Sequence, residues 1–166
     1  MAIVFNDGTQ STKSHVGRVL QFHLNAIAVR SSGTNGTWYD LSSGWEVSIT
    51  PRSTSSQILI TYTVTGWCIW DSGVRLVRNG TAIGIGAAAG SRPSMGYEFP
   101  SANRNNEMGC HSNSYLDSPN TTSTLTYKLQ GWWNGSAWYV NRTGSDDNNV
   151  NDGRAASSII VTEVLG

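Results

Sequence analysis

The side chains in this sequence best equipped for chemistry are its tryptophans. There are seven: Trp38 beside Tyr39, Trp45, Trp67 close to Trp70, the pair Trp132-Trp133, and Trp138, all near predicted strand ends and turns. An exposed indole or phenol presents a flat apolar face to the C–H groups of a sugar, and nearby Asn and Asp satisfy its hydroxyls. Trp132, Trp133, Trp67, Trp70, Trp38 and Tyr39 are therefore candidate contacts to a glycan or receptor, or to another subunit. The competing reading for each is ordinary packing in a core or an interface, where Trp is a common anchor. Neighbours on a strand face opposite sides, so one of Trp132 and Trp133 must look outward or toward a partner.

Acid–base and nucleophilic candidates are few. The histidines are His15, His23 and His111. Gly109-Cys110-His111 suggests a Cys/His pair, but sequence neighbours in extended chain point apart and cannot work on one another. His15 and His23 read as surface or interface hydrogen-bonding groups. No Gly-x-Ser-x-Gly elbow, His-Glu-x-x-His or Cys-x-x-Cys occurs. A glycan hydrolase would need two facing carboxylates, and a single sequence does not reveal which acids meet. Gly84-Ile85-Gly86-Ala87-Ala88-Ala89-Gly90 has the wrong spacing for a dinucleotide loop and follows a hairpin. Asp147, Asn149 and Asn151 have the alternate spacing of a calcium loop, making them weak metal candidates. The turn glycine, Gly153, comes one residue late, and Ser158 stands where a bidentate Glu belongs. The sequence is read as non-enzymatic, with no cofactor.

Composition narrows the partners. Eleven basic and eleven acidic residues give zero formal charge, and charged residues make up 13% of the 166. Such a chain has no electrostatic footprint for nucleic acid or anionic lipid, and no apolar run is long enough to insert in a membrane. Ser, Thr, Asn and Gly together supply 70 residues, so small neutral groups keep the surface wet. The N-terminus lacks the basic and apolar regions of an export signal, so folding in a cytoplasm is expected, with Cys68 and Cys110 more often free than bridged. Five Asn-x-Ser/Thr triplets, at Asn35, Asn79, Asn120, Asn134 and Asn141, are then a result of composition.

The elements that must position these groups are strands. Leu20, Phe22 and Leu24 alternate with Gln21 and His23. Ile58, Ile60, Tyr62 and Val64 alternate with Thr61, Thr63 and Thr65, and Leu125, Tyr127 and Leu129 with Thr126, Lys128 and Gln130. Period-two alternation of this kind marks half-buried antiparallel strands. Asn79-Gly80 predicts a type I′ hairpin, and Asn134-Gly135 predicts another between 127–133 and 136–142. About eight strands with helix nearly absent predict an all-β antiparallel sandwich over 18–166. Residues 1–17 read as an N-terminal arm, with Ile3, Val4 and Phe5 as its anchoring side chains. Residues 86–120 show little alternation and are expected to form a long outward-facing loop. The last strand is apolar on both faces, Ile159 and Val161 on one side, Ile160 and Val164 on the other. That calls for cover on both sides and makes these four residues candidates for a subunit interface, the arm being the other possible cover.

Several segments in order resemble tail and fibre structural proteins of bacteriophages, especially marine and cyanobacterial ones: Gly17-Arg18-Val19-Leu20-Gln21, Val47-Ser48-Ile49-Thr50-Pro51-Arg52, Leu76-Val77-Arg78-Asn79-Gly80-Thr81, Leu125-Thr126-Tyr127-Lys128-Leu129-Gln130, Tyr139-Val140-Asn141-Arg142-Thr143 and Gly153-Arg154-Ala155-Ala156-Ser157. The resemblance implies a trimeric jelly roll of the tumour necrosis factor and C1q type. It also implies a virion surface protein assembled in the bacterial cytoplasm and acting as a fibre or spike tip for host attachment. No heptad shaft is present, so a capsid decoration, held to other virion proteins by the arm, is an equal expectation. Expected partners are further copies of the chain, other capsid or tail proteins and host surface polysaccharide, with a free carbohydrate-binding module as the alternative.

Overall fold

The computed structural model describes residues 3–4, 10–11, 18–25, 29–31, 36–41, 46–99, 106–135 and 137–164, with side chains from residue 36 onward. Every regular element among them is a strand. In chain order they are β1 (Ile3–Val4), β2 (Gln10–Ser11), β3 (Arg18–Asn25), β4 (Val29–Ser31), β5 (Trp38–Asp40), β6 (Glu46–Ile49) and β7 (Gln57–Cys68). There follow β8 (Ser72–Arg78), β9 (Thr81–Ile83), β10 (Tyr97–Phe99), β11 (Gly109–Asp117), β12 (Leu125–Trp133), β13 (Trp138–Val140) and β14 (Ser157–Val164). Among the described strands β1 pairs only with β2. Of the arm, Phe5 and His15 lie outside the described residues, as do the side chains of Ile3, Val4 and His23, and so does Trp45.

The remaining strands form two antiparallel sheets packed face to face, the β-sandwich that the alternation predicts. In sheet I the order is β11-β7-β14-β3, with β13 and β4 continuing the β14 and β3 positions beside the far end of β7. In sheet II, β8 and β12 lie at the centre. β9 and β10 flank β8, and β5 and β6 flank β12.

Period two decides which side chains meet between the sheets. Ile58, Ile60, Tyr62 and Val64 of β7 face Leu125, Tyr127, Leu129 and Trp133 of β12, and all are buried together with Ile159 and Val161. One inward position is glycine for a steric reason: a Cβ on Gly131 would come 1.8 Å from the Trp138 ring. The indole occupies the space that a side chain would need. Asn79 and Gly80 both take positive φ, 47° and 86°, and join β8 to β9 as the expected hairpin.

Two expectations are corrected. Asn134-Gly135 does not close a hairpin, because the chain there leaves sheet II and β13 pairs with β7 and β4 in sheet I. Gly135 is small for another reason, since a Cβ would fall 2.4 Å from the Trp70 ring. The segment 86–120 is not one long loop either. It contains β10 and the nine-residue β11, which runs along the whole edge of β7. Its inward residues are His111, Asn113, Tyr115 and Asp117, so alternation is real in space but invisible as hydropathy.

Asn113 and Asp117 are hydrogen-bonded inside the sandwich, and His111 is packed among rings. The Asn113 amide donates to the Gly96 carbonyl at 3.0 Å. Tyr62, Tyr97 and His111 form a ring stack, with centroids 5.9 and 5.5 Å apart. Asp117, at the end of β11, accepts from Arg78 Nη1 at 2.7 and 2.8 Å and from the Tyr127 hydroxyl at 2.7 Å. Burial and this carboxylate both push the Tyr127 phenol up, so it stays a donor. Glu163 is fully buried and accepts from the Arg52 amide at 2.6 Å, tying the Pro51 turn to β14.

Candidate functional site

The outer faces of the two sheets differ in chemistry. On sheet II, outward positions of β12 are Thr126, Lys128, Gln130 and Trp132, because their neighbours Leu125, Tyr127, Leu129 and Trp133 fill the core. Trp38 of β5 is the direct cross-strand partner of Trp132, and Asp40 that of Gln130. On the other side of β12, Arg75 stands opposite Gln130 and Gly73 opposite Trp132. Three strands therefore bring two indoles into one row and Arg75, Gln130 and Asp40 into the next, with Lys128 one row beyond.

The polar row is internally bonded. Arg75 Nε and Nη2 donate to Gln130 Oε1 at 2.9 and 2.7 Å, and Gln130 Nε2 donates to Asp40 Oδ1 at 2.8 Å. Lys128 Nζ donates to Asp40 Oδ2 at 2.6 Å. The guanidinium of Arg75 lies 4.1 Å over the Trp38 ring, which orients that indole. Burial pushes Arg75 down from its ordinary value, though a guanidinium stays charged. For Asp40, desolvation acts upward, but hydrogen bonds from Lys128 and Gln130 and the Lys128 charge outweigh it and leave the carboxyl below its ordinary value. Met95 lies over Gly73, where a Cβ would meet its sulfur at 2.0 Å, and this places a thioether next to Trp132.

The outer face of sheet I carries no charge along three described strands. Outward on β7 are Leu59, Thr61, Thr63 and Thr65; on β11, Cys110, Ser112, Ser114 and Leu116; on β14, Ser158, Ile160, Thr162 and Val164. Leu59, Leu116 and Val164 are exposed, and Thr63 shares a 2.7 Å hydrogen bond with Ser112. One end of this face is roofed. Trp67 stacks on Tyr139, Arg142 lies 3.7 Å over Tyr139, and Gly144 packs against Trp67.

The predicted contacts thus separate. Trp38 and Trp132 come together, half-buried on sheet II. Trp133 is core, and Tyr39 turns inward against it, the ring centroids 5.1 Å apart and the planes tilted by 37°. Trp67 is covered by the 141–156 loop, and Trp70 stands alone at 61% exposure in the β7–β8 connection. Ile159 and Val161 belong to the core between the sheets, so neither is available to another subunit. Ile160 and Val164 remain on the outer face. Cys110 points out and is exposed. His111 points in against Tyr97 and Phe99, so the two do not form a dyad. Cys68 and Cys110 are not bridged to one another.

In the loop before β14, Asp152 gathers the donors. It accepts from the Ser145 and Thr143 hydroxyls, the Asp147 amide and Asn149 Nδ2. The Ser145 hydroxyl is the largest of the influences that hold its carboxyl below the ordinary value. Asn149 Oδ1 accepts from the Asn151 amide at 2.8 Å. Asp146 is paired with Arg142 and Arg154. Asp147, Asn149 and Asn151 therefore serve the folding of the loop itself. Among the described residues no three or more His, Cys, Asp or Glu converge as a metal site would require. No helix among them is long and apolar enough to cross a membrane.

Arg75, Asp40, Gln130 and Lys128 were not singled out as site residues from sequence. A signal existed, since Lys128, Gln130 and Trp132 share one parity on the best-defined strand. Asp40 and Arg75 become neighbours only through the register of β5 and β8. No family model matches this chain, and no curated protein sequence matches it.

Proposed function

We propose that the protein is a non-enzymatic structural component of a bacteriophage virion surface, a jelly roll that assembles as a homotrimer. It serves as a fibre or spike tip or as a capsid decoration, with its N-terminal arm directed to other virion proteins. The phage assignment rests on the ordered segment resemblance. The jelly-roll reading is supported by the interleaved strand orders β11-β7-β14-β3 and β9-β8-β12-β6.

The observation that carries the assembly reading is the charge-free outer face of sheet I. Isolated charges are costly to bury, and the centres of interfaces are depleted of them. The three described strands of about eight residues span roughly 14 by 25 Å of this face, enough for the centre of a standard interface, which takes about 800 Å² from each partner. In a three-fold ring each contact joins two different patches, and a neutral face on one side of it removes the cost of burying an unpaired charge there.

Sedimentation equilibrium at micromolar concentration tests this reading, with a trimer expected and little change at high salt. Thr61→Arg puts a charge between Ser114 and Ile160; it is expected to give a folded monomer in which Cys110 reacts faster with a maleimide. A sharply defined wild-type monomer overturns the assembly reading. A density map of the intact particle distinguishes fibre tip from decoration.

A further inference from the structure

We propose that the outer face of sheet II is a binding platform for an uncharged polysaccharide. In this platform Trp38 and Trp132 supply the stacking surface, and the Arg75–Gln130–Asp40–Lys128 row supplies the hydrogen bonds. This deepens the reading of the protein as one displayed on a particle surface, and it gives the displayed face a ligand.

Three features fit a sugar. First, the indoles are cross-strand partners on one face, which places their Cβ atoms about 5 Å apart. Trp38 is already oriented by Arg75, so little side-chain freedom is lost on binding. Among the described residues no ring stacks on Trp132, and it is only half-buried, so its surface is available.

Second, the polar row lies two residues along the strands from the indoles, about 7 Å. A sugar ring resting on an indole therefore brings its hydroxyls toward groups already held in place. Gln130 and Asp40 are fixed from both sides, and the paired carboxylate and amide together accept and donate, as a hydroxyl requires.

Third, two positive and three negative side chains leave this face with no positive excess. Lys128 is paired with Asp40, and Arg75 is engaged by Gln130 and Trp38. Glu46 and Glu98, also outward here, leave no excess positive charge to draw an acidic polymer. An uncharged chain loses nothing on this surface.

The test uses the full chain and its Trp132→Ala, Trp38→Ala and Trp70→Ala variants. Affinity gel electrophoresis and tryptophan fluorescence are run against neutral polysaccharides (dextran, mannan, galactan, starch) and acidic ones (alginate, hyaluronan). Retention by at least one neutral polymer is expected, with affinity falling roughly tenfold or more when either sheet II indole is removed. Trp70→Ala, at the isolated tryptophan, should bind as the parent does. Sedimentation of the same samples shows whether each variant keeps the parental assembly, so loss of the platform and loss of the trimer are read separately. Binding unaffected by Trp132→Ala and Trp38→Ala, binding confined to acidic polymers, or no retention by any polymer overturns the proposal.

Discussion

Replacing Asp117 by alanine should cost about 2–4 kcal/mol, and the reason lies in who its partners are. Asp117 is 4% exposed and joins three strands of two sheets, accepting from Arg78 of β8 and Tyr127 of β12 while sitting on β11. Removing it leaves the fully buried Tyr127 hydroxyl without an acceptor, a penalty of about 1–3 kcal/mol. The Arg78 side chain keeps 29% exposure and can rehydrate, so its share is about 1 kcal/mol or less. Tyr127→Phe removes the donor and leaves the carboxylate its arginine, costing about 1 kcal/mol. The double variant removes both ends of the hydroxyl–carboxylate bond, so it should be more stable than the sum of the two single losses predicts. A coupling of about 1–2 kcal/mol is expected. Urea unfolding at pH 7, with the denaturant slope held constant across variants, measures all three. Additivity within about 0.5 kcal/mol, or an Asp117→Ala loss under about 1 kcal/mol, would refute the account of this clasp.

Gly131→Ala forces a Cβ into the Trp138 ring and should cost about 3 kcal/mol or more, whereas Gly135→Ala meets the exposed Trp70, which can swing away, and should cost under about 1 kcal/mol; equal losses in thermal unfolding would contradict this. Asp40 and Asp152 both have carboxyls held below the ordinary value. Their folded forms therefore favour the ionised state, and they stabilise the fold above the usual carboxylate range and lose that contribution as pH falls through the folded values. Urea midpoints should be flat from about pH 5 to 7 and fall below about pH 4, less steeply in the Asp152→Asn protein. Thiol titration should find both cysteines reduced, with Cys68 reacting only after unfolding.

The β-sandwich was legible in the sequence because its central strands alternate large apolar with Thr or Lys. β7, β12 and β14 all bury the residues that period two selects. β11 escaped notice because its inward side chains are His, Asn, Tyr and Asp, which hydropathy reads as loop. Asn79-Gly80 was read correctly from backbone preference, since both residues take positive φ. Asn134-Gly135 carried the same letters for a different cause, room for Trp70, and no local rule separates the two. The indole pair was half legible. Strand parity required Trp132 or Trp133 to face out, but only register across β5 could select Trp132 and supply Trp38. The polar row depends wholly on strands far apart in sequence, and spacing along the chain says nothing of it.

The position of β14 also governs when the protein can form. It lies between β7 and β3, so sheet I lacks its middle until residues near 164 have left the ribosome. Until then the inner apolar row of β7 lacks the neighbour that β14 supplies, and pairings spanning about a hundred residues close slowly. The nascent chain thus has no complete sandwich until β14 emerges, and the body should appear in a single event after that point. Low charge and abundant Thr and Ser on the strands made early then have a second value. They keep waiting segments hydrated while offering neighbouring chains little to seize.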